Sequence, residues 1–309
     1  MKRATRESYG ATLVELGNEN KDIVVLEADL SKATKTEMFA KTHKDRFINV
    51  GIAEQNMVGM AAGLASVGKI PFATTFAVFA AGRAFEIIRN SVCYPNANVK
   101  IAATHAGITV GPDGGSHQAI EDIALMSSLP NMIVLSPADD IEACKCVRAA
   151  AEIKSPVYIR LGRIPLEDIY DDSYDFKIGK GSELVEGQDV TIIATGIMVH
   201  KALEASKKLK DQGIDARVIN IATIKPIDEE IVVKAAKETK AIVTVEEHSI
   251  IGGLGDRVAS VVCDKYPTIV KKIGVKDVFG ESGNPDDLLE KHGLTTDNIV
   301  ETVKSVLNK

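Results

Sequence analysis

The chain has 309 residues, of which 45% are hydrophobic and 26% are charged, and its net charge is −6. This length is enough for two domains with separate cores, and the composition is typical of a folded α/β protein rather than of a disordered chain. The acidic net charge and the lack of a Lys/Arg block argue against a protein that binds nucleic acid or a membrane, since both usually need a basic patch.

The first half of the chain alternates short β-rich runs with helical patterns, which predicts a parallel sheet covered by helices. The predicted strands are 22–28, 46–50, 70–75, 99–104, 131–136 and 156–161. A second α/β unit, with strand-like runs at 189–196, 214–220 and 241–247, follows an acidic segment that contains glycine. The sequence therefore predicts an α/β fold with two domains, 1–165 and 188–309, joined by a linker at 166–187. In each domain, parallel or mixed sheets are flanked by helices.

Glu54 lies in the apolar stretch FINVGIAEQNMVGMAAGLA (47–65), after a predicted strand and at the start of a predicted helix. Ligands of open α/β sheets bind at this carboxyl edge of the strands. A carboxylate in the first turn of a helix also pairs with free backbone N–H groups. Position alone favours this structural role, and a catalytic role stays open.

Phe76 and Phe79 lie three residues apart in TTFAVFAAGR (74–83) and would share one face of a helix. Packing in the core is one interpretation of these rings. Stacking against a flat heteroaromatic ligand is the other.

A glycine-rich loop in the segment AATHAGITVGPDGGSHQAIED (102–122) follows the strand predicted at 99–104. It carries His105, Asp113 and His117, which suit polar recognition of a substrate and proton transfer. A zinc site is the alternative interpretation, but its support is weak because no further ligand is evident.

Arg6 precedes the first predicted helix, and Arg160 and Arg163 lie at the end of the last strand of the first half. Guanidinium groups at such edges bind phosphate or carboxylate with two hydrogen bonds, although surface salt bridges also explain single arginines. The segment IIGGLGDRV (250–258) does not complete the G-x-G-x-x-G pattern of a dinucleotide site. A glycine turn that lets a helix pack closely on its sheet is favoured there.

The N-terminus lacks the continuous apolar run of a secretory signal, and no later stretch reaches transmembrane length. We therefore predict a cytoplasmic protein. The four cysteines, Cys93, Cys144, Cys146 and Cys263, do not form paired CxxC sets. Reduced structural thiols are thus favoured over a metal site.

Several segments, taken together, resemble the C-terminal half of transketolase, in particular the split form of that enzyme, which consists of two polypeptides. They are ATRESYGATL, VLEADLSKAT, NVGIAEQNMVGMAAGLA, PFATTFAVFAAGRAFEIIRNSV, THAGITVGPDGGSHQAIEDIA, PVYIRLGR, TIKPID and VEEHSIIGGLG. The resemblance runs through nearly the whole chain and implies a domain that binds the pyrimidine of thiamine diphosphate, followed by a transketolase C-terminal domain. It also implies transfer of a two-carbon ketol unit from a ketose phosphate (xylulose 5-phosphate) to an aldose phosphate (ribose 5-phosphate or erythrose 4-phosphate).

The same resemblance implies that Glu54 contacts a ring nitrogen of the aminopyrimidine. There a carboxyl that burial keeps protonated would donate a hydrogen bond and favour the tautomer that removes the thiazolium proton. Phe79 and Phe76 would stack against the pyrimidine. Asp29 would lie near the cofactor and the substrate.

For the substrate, the resemblance assigns His105 and Asp113 to the sugar hydroxyl groups. It assigns His117, Arg6 and Arg163 to the phosphate. The two histidines of the glycine-rich loop and the two arginines would therefore act together on one sugar phosphate.

Thiamine enzymes hold the diphosphate through Mg²⁺ on a GDG motif, and no GDG occurs in this sequence. Magnesium uses few protein ligands and prefers phosphate oxygens. The resemblance therefore implies that a separate N-terminal subunit supplies the GDG motif and the Mg²⁺ ligands. Two copies of each chain would form a heterotetramer with the cofactor at the interface.

Three alternatives remain. The β-subunit of a 2-oxo-acid dehydrogenase shares the helix that bears the glutamate, but it is not expected to carry the THAG and GPDGGSH segments. Deoxyxylulose-phosphate synthase has a similar loop, but it usually lacks the histidine found here at position 105. A binding module without turnover would not need both Glu54 and a complete substrate loop.

Overall fold

Strands and helices alternate along most of the chain in the computed structural model, which describes residues 2–308. Within this range the strands are β1 (Arg3–Ala4), β2 (Ile23–Glu27), β3 (Phe47–Asn49), β4 (Ile70–Phe76), β5 (Lys100–Thr104), β6 (Ile133–Leu135), β7 (Val157–Arg160), β8 (Pro165–Leu166), β9 (Ser182–Val185), β10 (Val190–Ala194), β11 (Ala216–Asn220), β12 (Thr223–Lys225), β13 (Ala241–Ser249) and β14 (Ile269–Val275). The α-helices are α1 (Thr5–Glu19), α2 (Ser31–Thr34), α3 (Glu37–Thr42), α4 (Glu54–Ser66), α5 (Phe85–Ile87), α6 (Asp122–Ser128), α7 (Asp140–Glu152), α8 (Met198–Lys210), α9 (Glu229–Glu238), α10 (Leu254–Lys265), α11 (Pro285–Lys291) and α12 (Thr296–Leu307). Turns of 3-10 helix occur at Lys44–Arg46 and Ile108–Asp113, and π-helical turns occur at Phe79–Arg83 and Ile88–Cys93.

The first sheet has the strand order β12-β6-β7-β5-β4-β2-β3 among the described residues. All neighbours in it are parallel except β12, which runs antiparallel to β6 at one edge. Every residue of β2, β5 and β7 is buried. Burial on both faces is characteristic of a parallel sheet covered by helices, and it explains why these strands read as nearly continuous apolar runs.

The second sheet has the order β14-β13-β10-β11-β9 within residues 2–308, with β9 antiparallel and the other pairs parallel. This sheet and its helices, residues 182–308 without β12, are called the C-terminal unit below. The predicted α/β fold with parallel or mixed sheets flanked by helices is confirmed.

Side chains at the N-cap position begin three of the longer helices. Asp139 accepts a hydrogen bond from the backbone N–H of Glu142 at the start of α7, and Asp228 does the same for Ile231 in α9. Thr295 caps α12 in the same way. Each cap satisfies a backbone donor that the first turn of a helix would otherwise leave free.

The structure differs from the predicted elements in several places. Strand β12 follows the second unit's β11 in the chain but pairs with β6 of the first sheet, so the two halves share a sheet. Strand β14 was not predicted, and neither were the π-helical turns at Phe79–Arg83 and Ile88–Cys93. The segment 166–187 contains the edge strand Ser182–Val185, which pairs with β11. The domain boundaries themselves stay a prediction.

Among residues 2–308, no helix combines the length and the apolar character that crossing a lipid bilayer would require.

Candidate functional site

Glu54 begins α4, immediately after the turn that leaves β3, and its side chain is only 1% exposed. Its Oε2 accepts a hydrogen bond from Nη1 of Arg83 at 2.8 Å, which is also an ion pair. The helix N-terminus favours a negative charge at this position. The buried carboxyl therefore has a cationic partner, Arg83, that the sequence analysis did not single out.

The rings of Phe76 and Phe79 lie at the carboxyl end of β4, with centroids 6.0 Å apart and planes only 11° from parallel. The π-helical turn that starts at Phe79 brings Arg83 over the ring of Phe79, with Cζ 4.7 Å from the centroid. Such π-turns often occur at functional sites. The turn therefore joins the aromatic pair to Glu54 through one guanidinium.

His105 follows β5 directly and has a positive φ of 57°. Its ring lies 3.9 Å from that of Phe76, its Nε2 is 3.1 Å from Nη1 of Arg6, and its Nδ1 is 2.9 Å from Oγ1 of Thr104. Because arginine can only donate, Nε2 accepts, and Nδ1 carries the proton that it donates to Thr104. The strained backbone thus aims the histidine at the aromatic pair.

Burial lowers the pKa of His105 to about 3, and the nearby positive charges of Arg6, Arg163 and a protonated His117 act in the same direction. The histidine is therefore neutral at physiological pH and can accept or donate a hydrogen bond without carrying charge.

Arg6, in the first turn of α1, donates from Nη1 to the carbonyl of Ala33 at 2.9 Å as well as to His105. Its Nε is buried and has no hydrogen-bond partner. An unpaired buried donor on a guanidinium is unfavourable unless a ligand completes it. Arg6 thus presents a free donor beside His105, as expected for a site that binds an anionic group.

His117 and Asp113 lie further along the glycine-rich loop. The ring of His117 meets the Phe79 ring edge-on at 5.5 Å, and its Nδ1 is 3.0 Å from Oγ of Ser116. Asp113 forms an ion pair with Arg163 at 3.2 Å. Both predicted loop residues therefore lie beside another member of the predicted site.

Asp29 follows β2, the strand beside β4, and has a positive φ of 64°. Its backbone N–H and its carboxylate both hydrogen-bond to the side chain of Asn49, at 3.2 and 3.1 Å. Glu27, just before it, is fully buried and accepts the N–H of Leu30 at 2.6 Å. Burial raises the pKa of Glu27 to about 7, so this carboxyl titrates near neutral pH. Its hydrogen bond with Leu30 fixes the turn that carries Asp29.

Of the predicted arginines, Arg160 has a structural role. It is buried, its Nε donates to Asp122 at 2.9 Å, and the pair lies between the sheet and the C-terminal unit. The segment 250–258 also proves structural, because Oε2 and Oε1 of Glu246 accept the N–H groups of Leu254 and Gly255 at 2.7 and 2.8 Å. A protein carboxylate thus occupies the helix start that a dinucleotide phosphate would need.

Metal ligands do not gather anywhere in residues 2–308, since no group of three or more His, Cys, Asp or Glu side chains could hold an ion there. The described cysteines are free thiols. The groups described above are a buried carboxyl, two stacked rings, two histidines and three arginines at the carboxyl edge of the first sheet.

Comparisons with known proteins agree on one family. The family model described as "Transketolase, pyrimidine binding domain" matches residues 1–167, and "Transketolase, C-terminal domain" matches residues 179–299. A Methanocaldococcus jannaschii protein described as a transketolase C-terminal section is 52% identical over 99% of this chain and 97% of its own length.

A subunit of 6-deoxy-6-sulfo-D-fructose transketolase from Clostridium sp. is 42% identical over 98% of this chain and 94% of its own length. A solved structure described as a split gene transketolase, inactive β4 tetramer, is 60% identical with a TM-score of 0.93, covering 99% of this chain and 98% of the other. Against the transketolase of Rattus norvegicus, 38% identical, the whole chain spans half of that protein's length.

Proposed function

The chain belongs to the transketolase family and corresponds to the C-terminal subunit of its split form, and from this premise we propose its reaction and its site residues. The proposed reaction transfers a two-carbon ketol unit from xylulose 5-phosphate to ribose 5-phosphate or erythrose 4-phosphate. The proposed location is the cytoplasm.

One observation carries the proposal: a buried carboxyl, a parallel pair of rings and a neutral histidine beside a partly unpaired arginine converge at one sheet edge. A neutral imidazole and a carboxylate suit hydroxyl groups, and guanidinium groups suit a phosphate.

Thiamine diphosphate is the cofactor that the family implies, and this chain's groups fit its pyrimidine. Flat rings stack on aromatic faces, and a buried carboxyl can hydrogen-bond a ring nitrogen. When bound, the cofactor supplies the nucleophilic carbon that accepts the two-carbon unit. Phe76 and Phe79 would hold the ring, Asp29 would lie at its edge, and Glu54 would hold a proton at a ring nitrogen once Arg83 releases its carboxyl.

For the sugar phosphates, we assign His105 and Asp113 to hydroxyl groups and His117, Arg6 and Arg163 to the phosphate. The free Nε of Arg6 and the ion pair of Arg163 with Asp113 support this division. His105 lies between the aromatic pair and Arg6, because it contacts both Phe76 and Arg6. His117 lies against the ring of Phe79.

We propose that an N-terminal subunit carrying a GDG motif supplies the diphosphate site and Mg²⁺, in a complex with two copies of each chain. The lack of GDG in the sequence supports this. Ile52, two residues before Glu54, is 78% exposed, as expected for a residue that a partner covers. The related tetramer of identical chains is described as inactive, which agrees with a need for a second subunit.

We also keep the predicted organisation as a proposal: a pyrimidine-binding domain at 1–165, a linker at 166–187 and a transketolase C-terminal domain at 188–309. The cofactor and substrate groups named above all lie in the first of these.

The test is to co-express this chain with an N-terminal transketolase subunit and add thiamine diphosphate and Mg²⁺. Glycolaldehyde transfer from xylulose 5-phosphate to ribose 5-phosphate should appear only with both chains. Release of carbon dioxide from a 2-oxo acid would instead assign the chain to a 2-oxo-acid dehydrogenase. A parallel assay with 6-deoxy-6-sulfo-D-fructose decides whether the sugar resembles that of the Clostridium relative.

A further inference from the structure

The glycine-rich loop is held from its far side by a carboxylate of the C-terminal unit. Oε1 of Glu247, in β13, accepts the backbone N–H of Thr109 at 2.7 Å, and Glu247 is only 4% exposed. Gly107 lies so close that an added Cβ would be 2.2 Å from Cδ of Glu247. The loop and the carboxylate therefore fit together without space for a side chain at position 107.

A second contact lies at the end of the loop. Nε2 of Gln118, which is buried, donates to the carbonyl of Ile108 at 3.0 Å and to the carbonyl of Glu281 at 2.9 Å. Gly280 packs so tightly against Gln118 that a Cβ would be 1.8 Å from its Oε1. This glutamine closes the loop on itself and joins it to the C-terminal unit.

The strand that carries Glu247 is itself fixed to the first sheet. Nη2 of Arg160 donates to the carbonyl of Glu247 at 2.9 Å, while its Nε binds Asp122. The carboxylate thus has a defined position relative to β7 and to the loop. Together the two contacts and this arginine define a clamp on residues 107–118.

We propose that the C-terminal unit positions the substrate loop, with Glu247 and Gln118 acting as positioning residues for His105, Asp113 and His117. This inference rests on the proposed function of the loop. Gly107, Gly111 and Gly114 all have positive φ values, so the free loop would sample many conformations. A loop that is already held in one conformation loses little conformational entropy when the sugar phosphate binds. Its KM is therefore lower than that of an enzyme whose loop is free.

Glu246, the neighbour of Glu247, provides a matched control. It is equally buried in β13 but faces away from the loop and accepts the N–H groups at the start of α10. If the C-terminal unit had only a structural role, replacing either carboxylate would have the same effect on the KM. If it positions the loop, only replacement of Glu247 should raise the KM.

The experiment compares Glu247→Ala, Glu247→Gln, Gln118→Ala and Glu246→Ala in the assembled two-chain enzyme. We expect Glu247→Ala and Gln118→Ala to raise the KM for xylulose 5-phosphate roughly 10-fold, with kcat within about threefold, because the first removes the bond to Thr109 and the second removes those to Ile108 and Glu281. Glu247→Gln keeps a carbonyl oxygen that can accept the N–H of Thr109, so its KM should return close to the wild-type value. Glu246→Ala should leave the KM unchanged.

Hydrogen exchange of the loop amides gives a readout that does not depend on turnover. Exchange at residues 107–115 should be faster in Glu247→Ala and Gln118→Ala than in the wild type, and unchanged in Glu246→Ala. Unchanged exchange together with an unchanged KM in the first two variants would overturn the proposal, as would an equal rise in KM for Glu246→Ala. If Glu247→Ala does not assemble, Gln118→Ala alone decides.

An assembly without any transferase activity would refute the proposed function. The exchange measurement would still decide whether the clamp orders the loop.

Discussion

Glu54 and Thr109 are each fixed by one charged side chain, but the two side chains differ in origin and in exposure. The partner of Glu54 is Arg83, whose side chain is 48% exposed and 29 residues away in the chain. The partner of Thr109 is Glu247, which is 4% exposed and 138 residues away. The proposed cofactor side of the site is therefore held by a contact at the surface, whereas the glycine-rich loop is held by a buried contact with the C-terminal unit.

This difference indicates a division of tasks. A half-exposed guanidinium in contact with Glu54 and Phe79 is in a position to move when a ring enters, because water can solvate it elsewhere. A buried carboxylate that accepts a backbone N–H cannot move without leaving a polar group unsatisfied.

Glu54→Gln removes the proposed proton donor but keeps the shape of the side chain. We expect turnover by the assembled enzyme to fall by roughly 10³-fold, because general acid–base groups contribute on this scale, while cofactor binding and assembly persist. Steady-state assays and calorimetric titration of thiamine diphosphate check both parts. Glu37→Gln, in the first turn of α3, is the control and should retain activity; near-normal turnover in Glu54→Gln would remove Glu54 from catalysis.

Gly107→Ala tests the buried contact between the glycine-rich loop and Glu247, which has no space for an added side chain. The φ of +82° and the close approach to Glu247 are both incompatible with a side chain. We expect the free energy of unfolding to drop by about 1 to 3 kcal/mol or more, with a higher KM for sugar phosphates. Chemical denaturation measures the first effect. Gly63→Ala, inside α4 and with a Cβ that meets open space, should not destabilise the chain, and an equal loss of stability in the two variants would contradict the clamp.

Arg83→Ala leaves the buried carboxyl of Glu54 without its cationic partner. We expect the isolated chain to lose about 1 to 3 kcal/mol of unfolding free energy at neutral pH, since an unpaired buried acceptor is unfavourable. Arg89→Ala is the matched control, because the side chain of Arg89 hydrogen-bonds to the exposed side chain of its neighbour Asn90 and to no buried carboxyl within the described residues. An equal loss of unfolding free energy in the two variants would show that the ion pair between Arg83 and Glu54 does not stabilise the chain.

The smallest effect concerns pH. Burial raises the pKa of Glu247 to about 7, against the opposing charge of Arg160 and with the charge of Asp122 acting in the same direction as burial. Between about pH 4.5 and 7 the folded chain holds a proton there that the unfolded chain has lost, so the unfolding free energy falls as pH rises. Glu247→Gln should make this fall less steep.

Urea unfolding at a series of pH values measures that slope. Glu142 and Glu27 also have a pKa raised to about 7 by burial, so the slope should be reduced and not abolished. Glu152→Gln, at the exposed end of α7, should keep the wild-type slope. A wild-type slope in Glu247→Gln would mean that this carboxyl does not titrate in the window.

Much of the first sheet could be predicted from local pattern. The strands expected at 22–28, 70–75 and 99–104 are Ile23–Glu27, Ile70–Phe76 and Lys100–Thr104. These runs are apolar because they are buried on both faces, and their length and flanking turns distinguish them from helices. The π-helical turn at Phe79–Arg83 was not predicted. One extra residue in a helical turn changes the spacing of apolar residues too little for the sequence pattern to reveal it.

The residues of the site were partly predictable, but most contacts between them were not, because contacts between distant residues leave no local pattern in the sequence. His105, Phe76 and Arg6 were recognised as single residues, and the structure brings them into contact. Arg83 could have been found, since it lies four residues after Phe79 in the segment TTFAVFAAGR (74–83), a spacing that places both on one face of a helix. Glu247 could not, because its partner is 138 residues away.

Local patterns in the amino-acid sequence were enough to predict the alternation of strands and helices, the residue types at the strand ends and the resemblance to one family, because each of these depends on only a few neighbouring residues. Tertiary structure alone decided that Arg83 pairs with Glu54, that β12 joins the first sheet and that Glu247 holds the loop. Contacts between distant segments form only when whole sheets and helices pack, and the free energy that selects them is shared by the entire core.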